Sequence, residues 1–207
     1  REHWAERVRH QVRIEDALAS LQIEGSSLTL EAAFEIAARR DEPRDLRASE
    51  RELLNYLRAF DELDGLRNER DYPVRPGDIR NIHRLLVAGV RGGDRYAGEL
   101  RRESVAVGDI IDGETVVHHQ PPNWGDVGDH LDALCEWIQQ VKDKGKKGQD
   151  DPWIHPVLVA GLAQQRFVWI HPFVDGNGRT ARMLTTLLLF QRGYDFKYLF
   201  NLSEHYN

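Results

Sequence analysis

Apolar residues recur along this chain at intervals of three and four, the period of one face of an α-helix. Ile14, Ala17, Leu18 and Leu21 form the first run, and Gly25 stands where a C-terminal cap would end it. Thr29 opens a second run from Leu30 to Arg39, with Glu31 in its first turn and Pro43 beyond. Ser49 and Glu52 make a capping-box pattern ahead of Leu53, Leu54, Leu57, Phe60 and Leu63, with Gly65 after them. Pro76 and Gly89 bracket Ile79, Ile82, Leu85 and Leu86. Helical spacing returns over Val127–Val141, Pro156–Ile170 and Arg179–Gln191, with Gly193 as the last stop.

Between Gly92 and Pro122 the rhythm changes. Two β-branched runs, Ser104–Val107 and Glu114–Val117, flank Asp112-Gly113, a turn dipeptide, so a small hairpin is expected. Strands do not alternate with helices, and no internal repeat appears. The pattern predicts an all-α fold with one small inserted β-hairpin, in which residues 1–70 and 71–207 pack as one unit.

Composition narrows the function classes. The 207 residues are 41% apolar and 30% charged, with a formal net charge of −6. That balance argues against direct nucleic-acid binding by broad phosphate neutralisation. The stretch Lys142–Lys147 reads as a solvated loop. Cys135 is the only cysteine, which excludes an internal disulfide and suggests a reducing, cytoplasmic setting; its place among Val127, Leu131, Leu134, Ile138 and Val141 makes it a core residue. There is no signal peptide and no apolar stretch near the length of a membrane span. The start at Arg1 and the polar end suggest a piece of a longer protein.

Candidate chemistry concentrates in His171-Pro-Phe-Val-Asp-Gly-Asn-Gly-Arg-Thr-Ala-Arg182. A helix beginning in Gly-Asn-Gly exposes backbone N–H groups to an anion, and Arg179 and Arg182 lie three apart on its first turn. Two guanidiniums at a helix N-terminus suit a polyphosphate. Asp175 is a hard oxygen donor for Mg²⁺, and His171 is a base near neutral pH. Together they are the parts of phosphate-transfer chemistry. Gly176-x-Gly178-x-x-Ala181 with Asp195 also fits a dinucleotide fingerprint, but the residues before it are helix-like and no parallel strands exist to carry it. A metal hydrolase built on His118 and His119 finds no supporting helix pair, and His83, His130 and His155 read as surface or capping residues.

At these residues the sequence resembles the Fic (fic/doc) family, whose motif His-Pro-Phe-x-Asp/Glu-Gly-Asn-Gly/Lys-Arg-x-x-Arg is matched at every fixed position. The lead-in from Leu162, the hairpin region and Pro121-Pro122 extend the likeness, while Gln164 replaces a histidine common among relatives. The resemblance implies a protein adenylyltransferase: AMP passes from ATP to a Ser, Thr or Tyr hydroxyl of a target protein. It assigns His171 as the base, Asp175 to Mg²⁺, and Gly176, Asn177 and Gly178 to the anion hole. Arg179 would meet the phosphates or ribose and Arg182 the γ-phosphate. The hairpin, about 102–118, would dock the target's backbone, with Val105 and Val107 as clamp residues. Glycine at 178, where a kinase branch has lysine, points to nucleotide transfer.

Ser20-Leu-Gln-Ile-Glu24-Gly25 likewise resembles the family's inhibitory motif, which places a brake in residues 1–70 and the catalytic core in 71–207. Glu24 at Arg182 would remove the guanidinium that the γ-phosphate needs. The resemblance leaves alternatives: AMP removal or a bifunctional enzyme, transfer of another nucleotide or phosphate group, or a silent nucleotide-binding module. A homodimer is also among the expected partners.

Overall fold

The computed structural model describes residues 2–42, 45–66, 69, 71–90, 93–111, 114–144 and 154–194. Helix α1 (Glu2–Ile23) is followed by α2 (Leu30–Ala38), α3 (Ala48–Leu66) and α4 (Pro76–Val87). An antiparallel pair, β1 (Val107–Ile111) and β2 (Glu114–His119), precedes α5 (Val127–Lys144), α6 (Pro156–Ile170) and α7 (Asn177–Gln191). The fold is therefore mainly helical with one small hairpin, as the periodicity predicts.

The helix ends follow local chemistry. In α1, the Gly25 N–H donates to the Gln22 carbonyl and the Ser26 N–H to the Leu21 carbonyl, with Gly25 at φ 88°. This left-handed turn stops the helix and leaves Glu24 as its last cap residue. The Thr29 hydroxyl caps α2 by accepting from Ala32, and His155 caps α6 by accepting from Val157.

Four expectations are corrected. The Ser49–Glu52 capping box is not used: α3 begins at Ala48, and it is Glu50 that accepts from the Arg47 N–H. Lys142 is not in a solvated loop; it lies on α5, 6% exposed, and donates to the Tyr72 carbonyl and the Gln191 side chain. His83 is buried rather than at the surface. The first strand begins at Val107, where the run Ser104–Val107 ends. Pairing runs in register from Ile111 opposite Glu114 back to Gly108 opposite Val117, and a one-residue shift then sets Val107 opposite His119, so Ser104–Ala106 fall beyond the ladder. Pro43, Asp112-Gly113, Gly145, Gly148 and Asp195 lie outside the described residues.

One apolar cluster runs from Ile14 on α1 through Leu53, Ile79, Leu131 and Phe167 to Leu187 on α7. Cys135 belongs to it, and burial pushes its thiol up to about 12, so it stays protonated. α7 is buried along most of its length between α6, α4 and α3. That burial fixes its N-terminal turn, where the chemistry-bearing residues sit.

Candidate functional site

α6 ends at His171, which takes a left-handed conformation (φ 50°) and turns the chain into the loop Pro172–Gly176. Gly176, at φ 75°, caps α7, and its carbonyl accepts both the N–H and the hydroxyl of Thr180. The N–H groups of Asn177, Gly178 and Arg179 come before that first intrahelical bond, which makes them anion donors. Asn177 uses its side chain otherwise: its amide oxygen accepts from Phe173 N–H and its amide nitrogen donates to Phe173 O. Its help to an anion is therefore through its backbone.

His171 has its Nδ1 buried, which leaves Nε2 for chemistry. Burial lowers its pKa from the ordinary value, nearby Arg101 and His119 add to this, and the Val168 carbonyl opposes it. The imidazole is therefore neutral at pH 7, the form a base needs. Asp175 is half-exposed; its Oδ1 accepts from the Gly176 N–H at 2.6 Å and its Oδ2 lies 3.4 Å from Arg179 Nη2.

The two arginines are both buried and both engaged. Arg179 faces Glu52 of α3 at 3.7 Å, the residue whose capping role the structure overturns. Arg182 donates through Nε to Ser20 Oγ at 2.7 Å, and through Nη2 to the Ser20 carbonyl at 3.0 Å and Glu24 Oε1 at 2.8 Å. Ser20 and Glu24 are four apart, so one turn of α1 presents hydroxyl, carbonyl and carboxylate to the same guanidinium. Gly178 lies directly beneath: a Cβ there would overlap Glu24 Oε1.

Val105 and Val107 are half-buried at the stem of the hairpin. Val107 faces a cavity of about 540 Å³ shared with His119, Gly161, Gln164, Val168 and Trp169, and the Val105 carbonyl accepts from Gln120. His119 also bonds the Trp169 carbonyl at 2.8 Å, which ties β2 to α6.

Arg101 carries no periodicity signal in the sequence, and its importance is visible only in three dimensions. It is 2% exposed, and its guanidinium donates to the carbonyls of His171, Ile170, Glu103 and Pro122. Its own N–H donates to Pro172 O. One side chain thus joins the hairpin stem to the start of the loop. Among the described residues, no three His, Cys, Asp or Glu side chains gather as a metal site. No helix among them is long and apolar enough to cross a membrane.

The sequence profile of the Fic/DOC family matches residues 73–189, more than half of the chain. The chain belongs to the Fic/DOC family. Within this Fic chain the matched span holds His171–Arg182 and the hairpin, whereas Ser20 and Glu24 lie before it. The protein named "Protein adenylyltransferase Fic" of Drosophila mojavensis is 32% identical over 117 residues, 56% of this chain and 20% of the relative. The chain thus spans about a fifth of the length of that relative and of its Drosophila virilis counterpart. A Fic family protein from Desulfovibrio desulfuricans has a similar structure, with TM-score 0.70, 27% identity, and coverage of 96% of this chain and 54% of that one. A Fic domain containing signaling protein from Bacteroides thetaiotaomicron shares the fold, with TM-score 0.76, 22% identity, and coverage of 93% and 68%.

Proposed function

We propose that this Fic chain is a protein adenylyltransferase held off by Glu24. The observation that carries the reading is the Arg182 guanidinium, filled by Ser20 and Glu24 at the N-terminal turn that His171 and Asp175 border. A triphosphate laid along that turn needs the same guanidinium, and a carboxylate beside its γ-phosphate repels it.

In the transfer, a target hydroxyl oxygen attacks the α-phosphorus of ATP while its proton passes to His171 Nε2. The bond from that phosphorus to the bridging oxygen breaks, and pyrophosphate carries off the bonding pair. The N–H groups of Asn177, Gly178 and Arg179 face the charge that develops on the α-phosphate. Arg179, already beside Asp175 and Glu52, steadies the loop and adds positive charge near the phosphates. A single half-exposed carboxylate fits a Mg²⁺ whose other ligands are phosphate oxygens and water, so Asp175 is the residue that would hold it. Bound there, the ion supplies charge neutralisation to the phosphates. The hairpin supplies strand edges against which a target segment adds, with Val105 and Val107 at its stem.

The test uses α-labelled and γ-labelled ATP with the parent, Glu24→Gly, and Glu24→Gly/His171→Ala. Loss of one charge-assisted contact corresponds to roughly 10- to 100-fold, so Glu24→Gly should raise α-label on protein by that order. Removing His171 should abolish it. Equal labelling by parent and Glu24→Gly sinks the brake, and label arriving only from the γ-position sinks adenylyl transfer.

A further inference from the structure

We propose that His83 is a positioning residue that aims the Asp175 carboxylate through the Asp175–Gly176 peptide; this rests on the nucleotide reading above. His83 comes from α4 and is 1% exposed. Its ring lies flat on Phe173, with centroids 3.7 Å apart and planes 2° from parallel. The Gly98 N–H donates to Nδ1 at 2.9 Å, which places the ring proton on Nε2. Nε2 then donates to the Asp175 carbonyl at 3.0 Å.

A trans amide held by its carbonyl has its N–H fixed on the opposite edge. That N–H, from Gly176, donates to Asp175 Oδ1 at 2.6 Å. One peptide plane therefore links the imidazole to the carboxylate. A Cβ at Gly176 would meet Val87 Cγ1 at 2.9 Å and the His83 ring at 3.4 Å, so the same ring walls in the left-handed cap of α7. The loop is held at both ends, by Arg101 at the His171 carbonyl and by His83 at the Asp175 carbonyl. Packing alone would be met by phenylalanine. What packing does not require is that both ring nitrogens bond backbone groups, Gly98 at one edge of the ring and Asp175 of the loop at the other.

The test is made on the full chain carrying Glu24→Gly, with and without His83→Phe, which keeps an aromatic ring and loses both bonds. Binding of adenosine 5′-(α,β-methylene)triphosphate is measured by calorimetry with and without Mg²⁺, alongside labelling from ATP. Outer-shell partners of metal-binding carboxylates are typically worth 10- to 100-fold in metal affinity or activity. His83→Phe should therefore lose roughly 10-fold or more of the Mg²⁺-dependent gain in analogue affinity, with affinity in the absence of Mg²⁺ kept, and labelling should fall by about 10- to 100-fold. An unchanged Mg²⁺-dependent gain overturns the proposal, as does an equal loss with and without Mg²⁺, which is what a packing role gives. Should His83→Phe not fold, His83→Gln decides. It keeps a donor and an acceptor without the stack, so it should hold the Mg²⁺-dependent gain even if its Tm falls; a folded His83→Gln without that gain overturns the assignment. The binding arms need no transfer: if the Glu24→Gly chain binds the analogue but labels no protein, adenylyl transfer fails while His83 is still judged. If that chain binds no analogue at all, the assignment falls too.

Discussion

Gly178 holds the space into which the Glu24 carboxylate fits. A glycine in the first turn of a helix gives up about 0.5–1 kcal/mol relative to alanine, and here a methyl group would overlap Glu24 Oε1. Gly178→Ala should therefore push Glu24 off Arg182 and lower the parent's Tm. In a Glu24→Ala background the nearest neighbour left is Arg182 Nη1 at 3.1 Å, the end of a flexible side chain, so the same substitution should leave Tm unchanged or raise it. A double-mutant cycle by thermal melts reads a coupling of about 1–2 kcal/mol, discounted for the partly exposed carboxylate; additivity would refute the contact. Histidines supply a second prediction. Burial is the main cause that lowers His83 from 6.5 to about 4. Its unfolded form thus binds more protons between those values, and stability falls as the pH drops through that window. The contribution is complete above about 6.5, gone below about 4, and of order 3 kcal/mol across it. Urea titrations at stepped pH should show this slope, and His83→Phe should flatten it. His171 shifts in the same direction, so the acid limb of the labelling rate should inflect below the usual histidine value.

At the scale of elements, the joint between hairpin and helix is one side chain. Arg101 bonds carbonyls of the hairpin stem, the end of α6 and the start of the site loop at once. A lysine cannot reproduce that fork. Arg101→Lys should cost about 2–4 kcal/mol, because buried carbonyls lose their donors. Hydrogen exchange should accelerate together at 100–106 and 170–176 while α3 stays protected; acceleration confined to one of these segments would contradict a shared joint. The same joint shows what the sequence makes legible. Helix periods, Pro76 and Pro156 at helix starts, and Gly25, Gly89 and Gly193 beyond helix ends are local signals, and the elements follow them. Glu52 misleads because its spacing from Ser49 imitates a cap, whereas its partner Arg179 is far along the chain. His83, Arg101 and Lys142 are polar residues whose partners lie 70 or more positions away in part or in whole, and no local pattern encodes that. The site residues His171–Arg182 are readable as a group because one loop and one helix turn carry them all.

For the molecule as a whole, the proposed brake would couple nucleotide affinity to the seating of α1 through the Arg182–Glu24 pair. A ligand that binds only the open form adds stability in proportion to its free concentration over its apparent Kd. MgATP at a fixed concentration should therefore raise the Tm of Glu24→Gly by several degrees more than that of the parent. Equal shifts would mean that α1 does not oppose the nucleotide. Because α1 contacts α2, α3 and α7 and buries Ile14, Leu18 and Leu21 in the core, the displacement expected to free Arg182 is that of the last turn around Glu24 alone.

Ser20 and Glu24 stand 162 and 158 positions before Arg182 in one continuous chain. Their encounter is thus a first-order event, with a local carboxylate concentration in the range of about millimolar or above. Such a restraint has no memory of how dilute the protein is. On the proposed reading, its strength would change with nucleotide supply and with whatever pulls on the last turn of α1, and within one chain it would not depend on dilution.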